Sequence, residues 1–190
     1  MPILGRLLKN RRSGETHAAW NRPNLHGPEL LDLSSRSFDR HGTIPPEHHA
    51  KNAGGQNISP HLAWNPPPTG TAQLLLVVED TDVPTPKPAV HCVVLIDPGV
   101  RSLAPGTLAA KEPAPGVTIL RSVIGRGYQG PAPIKGHGPH HYTFQLFALA
   151  TPLGVTPGKT PPDRARPSAL LSSITAPVLA RGRLIGTVER

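Results

Sequence analysis

The apolar positions of this chain fall into short runs divided by proline and glycine. Leu74–Val78 is five apolar residues without alternation, the pattern of a strand covered on both faces. Glu79, Asp80 and Asp82 follow it, and then Pro84, Pro86 and Pro88, which forbid a continuing strand because proline has no backbone donor for a ladder. The next apolar run starts at His91 and continues through Cys92 to Ile96. Val117–Ile124 reads as a further strand. Tyr142–Leu149 alternates, with Tyr142, Phe144, Leu146 and Ala148 on one face and Thr143, Gln145, Phe147 and Leu149 on the other. Both faces are partly apolar, which predicts a central position in a sandwich. Leu31 and Leu33 alternate with Asp32 and Ser34 as an opening strand, and Leu184–Val188 reads as the closing one. Helical spacing appears in Pro167–Ala180, where Leu170, Leu171, Ile174 and Val178 share a face and Pro177 should kink or end the helix. The expected fold is mainly β: an antiparallel β-sandwich with a short C-terminal helical segment.

Composition sharpens this. Twenty-five prolines and nineteen glycines among 190 residues exclude a helical bundle, and the length suits one domain. Residues 1–29 read as a basic leader packed on or frayed from the core, and residues 30–190 as the sandwich. In the leader, Ile3, Leu4, Leu7 and Leu8 fall at helical spacing but are interrupted by Arg6, Lys9, Arg11 and Arg12. That is no signal-peptide core, and no stretch is long enough to span a bilayer. Met1–Arg12 is therefore expected to be dispensable for ligand binding. A net charge of +8 favours anionic partners, while 4% aromatic residues leave little for stacking on bases, so nucleic acid is not expected. One cysteine excludes an internal disulfide and fits a reducing compartment, which points to the cytoplasm.

The chemistry gathers in two stretches. The first is the acidic loop from Asp80 and Asp82 through Pro84 to His91, on the lips of two strands, where scaffolds tend to hold working residues. The second is Gly130–Tyr142, in which Gly136, Gly138 and Pro139 shape a loop whose amides are expected to point inward as an anion nest. His137, His140 and His141 follow closely. On a strand His140 and Tyr142 share a face and His141 points away, and by the same rule Cys92 turns from His91 as a buried, inert thiol. Each feature alone has an ordinary reading. The aspartates cap turns, the chain holds ten histidines, and Arg181, Arg183 and Arg190 read as a soluble surface.

Taken together and in order, Asp80-Thr81-Asp82-Val83-Pro84 leading to His91, and Gly130-Pro131 through Gly138-Pro139-His140-His141-Tyr142, resemble the phosphatidylethanolamine-binding protein family, in its bacterial Raf-kinase-inhibitor-like branch. Ile58-Ser59-Pro60-His61-Leu62-Ala63-Trp64 resembles the family's Ser-Pro-x-Leu-x-Trp segment, and Gly182–Arg190 its closing strand. The resemblance covers Leu30 to the end. It implies a sandwich of antiparallel sheets and a small cavity for phosphate-like anions built from Asp80, His91, His140 and Tyr142. Asp82 and Pro84 would shape the loop, and Pro139 with its flanking glycines, Gly138 among them, would form the wall. It also makes Val83–Pro84 a candidate cis bond. Ala89 stands where the family commonly has an aromatic, Val123 where it has Asn or Asp, and Pro133-Ile134 where it has Pro-Pro.

The expected function is that of a binding protein without catalysis or cofactor. Its partner is a small anion or phosphoryl headgroup, and because the family includes kinase and protease inhibitors, an unidentified kinase or protease target belongs to the expectation. His91, His140 and the Tyr142 hydroxyl would donate to the anion, and Asp80 would fix a histidine tautomer. Such a set has no evident nucleophile. The rival reading is a metal-dependent hydrolase in which Asp80, Asp82, His91, His137 and His140 hold zinc or another divalent ion.

Overall fold

The structure, a computed structural model, describes residues 3–154 and 160–190. Its centre is a five-stranded antiparallel sheet. In chain order the strands are β1 (Leu62–Ala63), β2 (Gln73–Asp80), β3 (Ala89–Ile96), β4 (Ser102–Leu103), β5 (Val117–Ile119), β6 (His140–Leu149) and β7 (Val178–Val188). The large sheet has the order β5-β3-β2-β6-β7, and β1 pairs with β4 in a second, two-stranded sheet. The fold is thus mainly β and antiparallel, as the breaker density requires.

Alternation divides the core in two. Leu74, Leu76, Val78, Cys92, Val94, Phe144 and Leu146 face one side, where they pack on Leu33, Ile44, Leu62, Trp64 and Leu103. Leu75, Val77, Val93, Leu95, Phe147 and Leu149 face the other, against Trp20, Leu25, Leu170 and Leu171. Apolar residues on both faces of β2 and β6 are what a sheet covered on both sides demands.

Three element boundaries differ from expectation. The helix α2 spans Pro167–Ser173 rather than reaching Ala180, and β7 already begins at Val178. Pro177 explains both: it has no amide proton for a helix, and it drives Ala176 out of helical angles. The strand at Val117 ends at Ile119 because Ser122 turns the chain, its amide and hydroxyl both donating to the Gly125 carbonyl. Leu31 and Leu33 are buried without forming a strand. Asp32 N donates to the Asn65 side chain instead, while Leu31 N bonds to Arg181 O of β7 at 3.1 Å and Ser34 bridges Ala63 of β1.

The leader is packed. Its short helix α1 (Ile3–Leu8) is followed by a segment in which Ala19, Trp20 and Leu25 are buried. Arg181 and Arg183 of β7 lie over the Trp20 ring at 3.9 and 4.8 Å, so these cations stack on an aromatic face rather than serving only as soluble surface. Beneath Trp20 is a buried polar network. Trp20 N donates to Gln145 Oε1 at 2.6 Å, and Ala19 N and Gln145 Nε2 both donate to Glu79 Oε2, at 2.7 and 2.8 Å. The leader thus reaches the central strands through the backbone donors of Ala19 and Trp20.

Candidate functional site

The site forms where β2, β3 and β6 end together. Asp80 lies opposite Ala89 on one side and Tyr142 on the other. Between β2 and β3 the register slips: Val78 faces Cys92 while Glu79 faces Val90, which leaves His91 as the extra residue of a β-bulge. The bulge turns His91 onto the face that carries Asp80 and Tyr142, with its ring edge-on to Tyr142 at 5.2 Å between centroids. Cys92 faces that same side, which corrects the expectation of strict alternation across His91. Burial pushes the Cys92 thiol up to about 12, so it stays protonated.

A cavity of about 490 Å³ opens here. Asp80, Pro84, His91, His140 and Tyr142 all line it, with Lys51 and Ile134 among their neighbours. Asp82, Gly138 and Pro139 do not. Val83–Pro84 is not cis: no cis peptide occurs among the described residues. The glycine loop offers no nest either, because Gly136 N is bonded to Arg190 O at 2.8 Å and His137 N to Ile134 O at 3.0 Å.

Behind the cavity wall runs a chain of buried side chains. His140 Nδ1 lies 2.8 Å from Asp80 Oδ2, and His140 Nε2 lies 2.7 Å from His137 Nδ1. His137 Nε2 faces two carbonyl oxygens, of Leu8 at 2.8 Å and Arg11 at 3.1 Å, so it must carry a proton and donate. With both rings neutral and His140 donating to a carboxylate, lone pairs on His140 Nε2 and His137 Nδ1 would face each other. Filling every bond takes one more proton, carried as an imidazolium against the Asp80 carboxylate or held on Asp80 itself. In either form the group of three is neutral overall, which suits side chains removed from water. Both nitrogens of His140 are engaged, so His140 holds Asp80 and presents no donor to a ligand.

Two groups remain available to the cavity. The Tyr142 hydroxyl is buried and completes no hydrogen bond of full geometry among the described residues, with the Asp80 side chain and the Ala132 backbone as its polar neighbours. Burial, and then the nearby Asp80 carboxylate, push its phenol up, so it stays a donor. His91 Nδ1 lies 2.8 Å from the Gln129 carbonyl and must donate to it, which leaves Nε2 as the free nitrogen. Burial holds His91 below the usual imidazole range, opposed in part by the Gln129 bond and by Asp80. The neutral ring therefore offers a lone pair at Nε2.

Asp82 serves the loop from outside the cavity. It accepts from the amide and from Nδ1 of His141, each at 2.7 Å, and it pairs with Arg12. Burial alone would raise its carboxyl, but the His141 amide, Arg12 and the His141 ring outweigh that and hold it low. Arg12 also donates to the carbonyls of Pro139 at 2.8 Å and His137 at 3.3 Å. Ser13 N and Gly14 N bond to Val83 O and Thr81 O, both at 2.9 Å. Gly5 of α1 sits so close to the loop that a Cβ there would overlap the Lys135 carbonyl. The described part of the leader up to Arg12, expected to be dispensable for ligand binding, contributes residues that contact both loops of the site. Arg12 and Gln129 carry no motif that would have marked them, whereas His137 was visible as the first histidine of a His-x-x-His.

The zinc alternative loses its ligands in this geometry. No three of His, Cys, Asp and Glu converge on a metal position among the described residues. His137 and His140 have both ring nitrogens engaged, and Asp82 turns to Arg12 and His141.

Comparison with known proteins bears on most of the chain. The sequence model of the family described as "Phosphatidylethanolamine-binding protein" matches residues 34–189. "Putative lipoprotein LppC" of Mycobacterium tuberculosis is 36% identical over 162 residues, covering 85% of this chain and 73% of that protein. A UPF0098 protein of Aquifex aeolicus is 33% identical over 170 residues, covering 86% and 91%. The crystal structure of E. coli YbcL, described as a new member of the mammalian PEBP family, superposes with a TM-score of 0.73 at 26% identity over 85% of this chain and 99% of that one. The expected cytoplasmic location does not survive, since a relative this similar is named a lipoprotein. A single cysteine excludes only an internal disulfide, a constraint met in any compartment. Among the described residues no helix is long and apolar enough to cross a membrane.

Proposed function

This chain belongs to the phosphatidylethanolamine-binding protein family, and on that premise we propose that it is a non-catalytic binding protein whose cavity takes a small phosphoryl anion. The observation that carries the reading is the Tyr142 hydroxyl, a buried donor without a completed hydrogen bond, beside the free Nε2 of His91. Buried polar groups are almost always paired, so an orphaned donor aimed at a cavity calls for an acceptor from outside. A hydrogen phosphate monoester supplies both halves: a P–O⁻ oxygen accepts from Tyr142, and a P–OH donates to His91 Nε2. Lys51 adds a cation to the lining. A volume of about 490 Å³ suits a headgroup-sized molecule. The protonated Cys92 thiol and the neutral triad supply no activated nucleophile, which supports binding over catalysis.

Protonation of His91 replaces a lone pair by a charged donor, which strengthens the bond to an anion. Anion binding then raises the imidazole value, and affinity falls as pH rises through the free-state value. Because burial lowers that value, the loss falls on the acid side of the usual ~6.5 rather than around neutrality. Calorimetric titration with phosphorylethanolamine at several pH values, on the native protein and on Tyr142→Phe, tests the reading. The expected cost of Tyr142→Phe is about 1.5–3 kcal/mol, the range for a hydrogen bond to a charged group. Unchanged affinity in Tyr142→Phe, with its fold intact by circular dichroism, would place the ligand elsewhere.

A further inference from the structure

We propose that the opposite face of the same strands carries a second, independent anion site that takes an organic phosphate with an apolar body. Strand alternation aims neighbouring residues of β2 and β3 at opposite sides: Asp80 and His91 line the cavity described above, while Glu79 and Val90 line another. This second cavity has a volume of about 340 Å³, within the range of ligand pockets. Its floor is apolar, with Val90 and Leu171. Around it stand four cations from four separate parts of the chain: Arg22, Lys87, Arg121 and Arg166. None of the four is ion-paired with a carboxylate among the described residues.

Two observations turn a basic surface into a candidate site. Arg22 Nε is buried without a hydrogen-bond partner among the described residues, although its Nη1 donates to Ser172 Oγ at 2.8 Å. An orphaned guanidinium donor at a cavity wants an external oxygen. The cations also converge on a cavity with an apolar floor instead of scattering over a convex face, and like charges so placed repel unless an anion joins them. Three arginines favour a phosphate, whose oxygens match the guanidinium fork, and four cations favour a dianion over a carboxylate. Glu79 at the base is the one acid. It is occupied by the Ala19 amide and the Gln145 side chain, and burial raises its carboxyl toward the neutral form against the opposing pull of those two bonds and of the Arg22 charge, which reduces its repulsion of an incoming anion.

The test uses the full chain and two probes, soluble phenyl phosphate by calorimetry and phosphatidic acid vesicles by co-sedimentation. Arg121→Ala/Arg166→Ala changes two exposed side chains outside the first cavity, so folding should survive. The double variant should lose at least tenfold in affinity for one probe, while Tyr142→Phe leaves that binding event within twofold. An arginine-dependent event with phenyl phosphate marks a free organic phosphate as the ligand. One seen only with vesicles marks a lipid headgroup. Absence of any event that depends on these arginines and not on Tyr142, with either probe, overturns the proposal. Failure of the Tyr142-dependent event alone would instead count against the first cavity.

Discussion

Replacing Asp80 tests whether the buried triad holds the extra proton that its hydrogen bonds require. In Asp80→Ala the Asp82 amide loses its acceptor, Asp80 Oδ1 at 2.8 Å, and His140 loses its partner at Nδ1. An unsatisfied buried donor costs about 1–3 kcal/mol, and removing one partner of a buried pair about 3–5 kcal/mol. The two overlap at one carboxylate, so the total should be about 4 kcal/mol. At this chain length that lowers the melting temperature by roughly 8–16 °C. Asp80→Asn should behave quite differently. Its oxygen still accepts from the Asp82 amide, its NH₂ donates to His140 Nδ1, His140 Nε2–H donates to His137, and His137 donates to Leu8 O. The amide thus supplies the missing proton permanently, and the cost should stay within about 1 kcal/mol. Urea unfolding of both variants at neutral pH measures the difference. Nitrogen-15 shifts of the imidazoles should show, in the Asn variant, a protonated Nε2 and a bare Nδ1 on His140. If Asp80→Asn is as damaging as Asp80→Ala, the carboxylate acts purely as an acceptor and the proton count above is wrong.

Three further outcomes follow from other contacts. Arg12→Ala frees Asp82 and the Pro139 and His137 carbonyls, but because the Arg12 side chain is 32% exposed the loss should be about 1 kcal/mol; an unchanged melting temperature at low salt would mean the leader does not brace the loops. Asp82 is held below its ordinary value, so its stabilisation is present above ~3.9 and lost as pH falls through the folded value. Asp82→Asn should accordingly lower stability at pH 6 and converge with the native protein in strong acid, which melting curves across pH would show. Glu79 is raised by burial, so its ionised form penalises the fold once pH climbs above the unfolded ~4.3. Glu79→Gln keeps an acceptor for the Ala19 amide and should gain stability at pH 8 relative to pH 4.5; an equal effect at both values would show that the carboxyl is not neutralised by burial.

The core strands were legible because apolar runs report burial directly. Leu74–Val78 and the alternation of Tyr142–Leu149 mark strands with two covered faces, and both are found at the centre of the sheet. That Asp80, His91, His140 and Tyr142 line one cavity was expected only through the family resemblance, and the strand pairing of Asp80 with Tyr142 was not foreseen. The failures share a cause, which is that hydrogen-bond partners and strand register carry no sequence signature. The bulge at His91 depends on a register slip against β2, and alternation alone therefore put Cys92 on the wrong side. His140 was read as a ligand donor because nothing in His-x-x-His shows that the first ring takes one of its nitrogens. Gly136 and His137 amides were read as a nest, yet the Arg190 and Ile134 carbonyls occupy them.

The leader is the sharpest instance of that limit. Its polar and basic composition suggested a dispensable tail, because the usual sign of packing is an apolar stripe, and Ile3, Leu4 and Leu7 are in fact exposed. What ties the leader down is its amides and carbonyls. Leu8 and Arg11 cap His137, Ser13 and Gly14 pair with the acidic loop, and the amides of Ala19 and Trp20 reach Glu79 and Gln145. Those last two acceptors lie on the face of the sheet away from Asp80, so one segment touches the polar groups behind both cavities. A carbonyl that fixes the tautomer of His137 also bears, through His140, on the proton shared between His140 and Asp80. The leader therefore takes part in setting the protonation of a cavity wall that it never enters, and such a role is invisible to any reading of side-chain character.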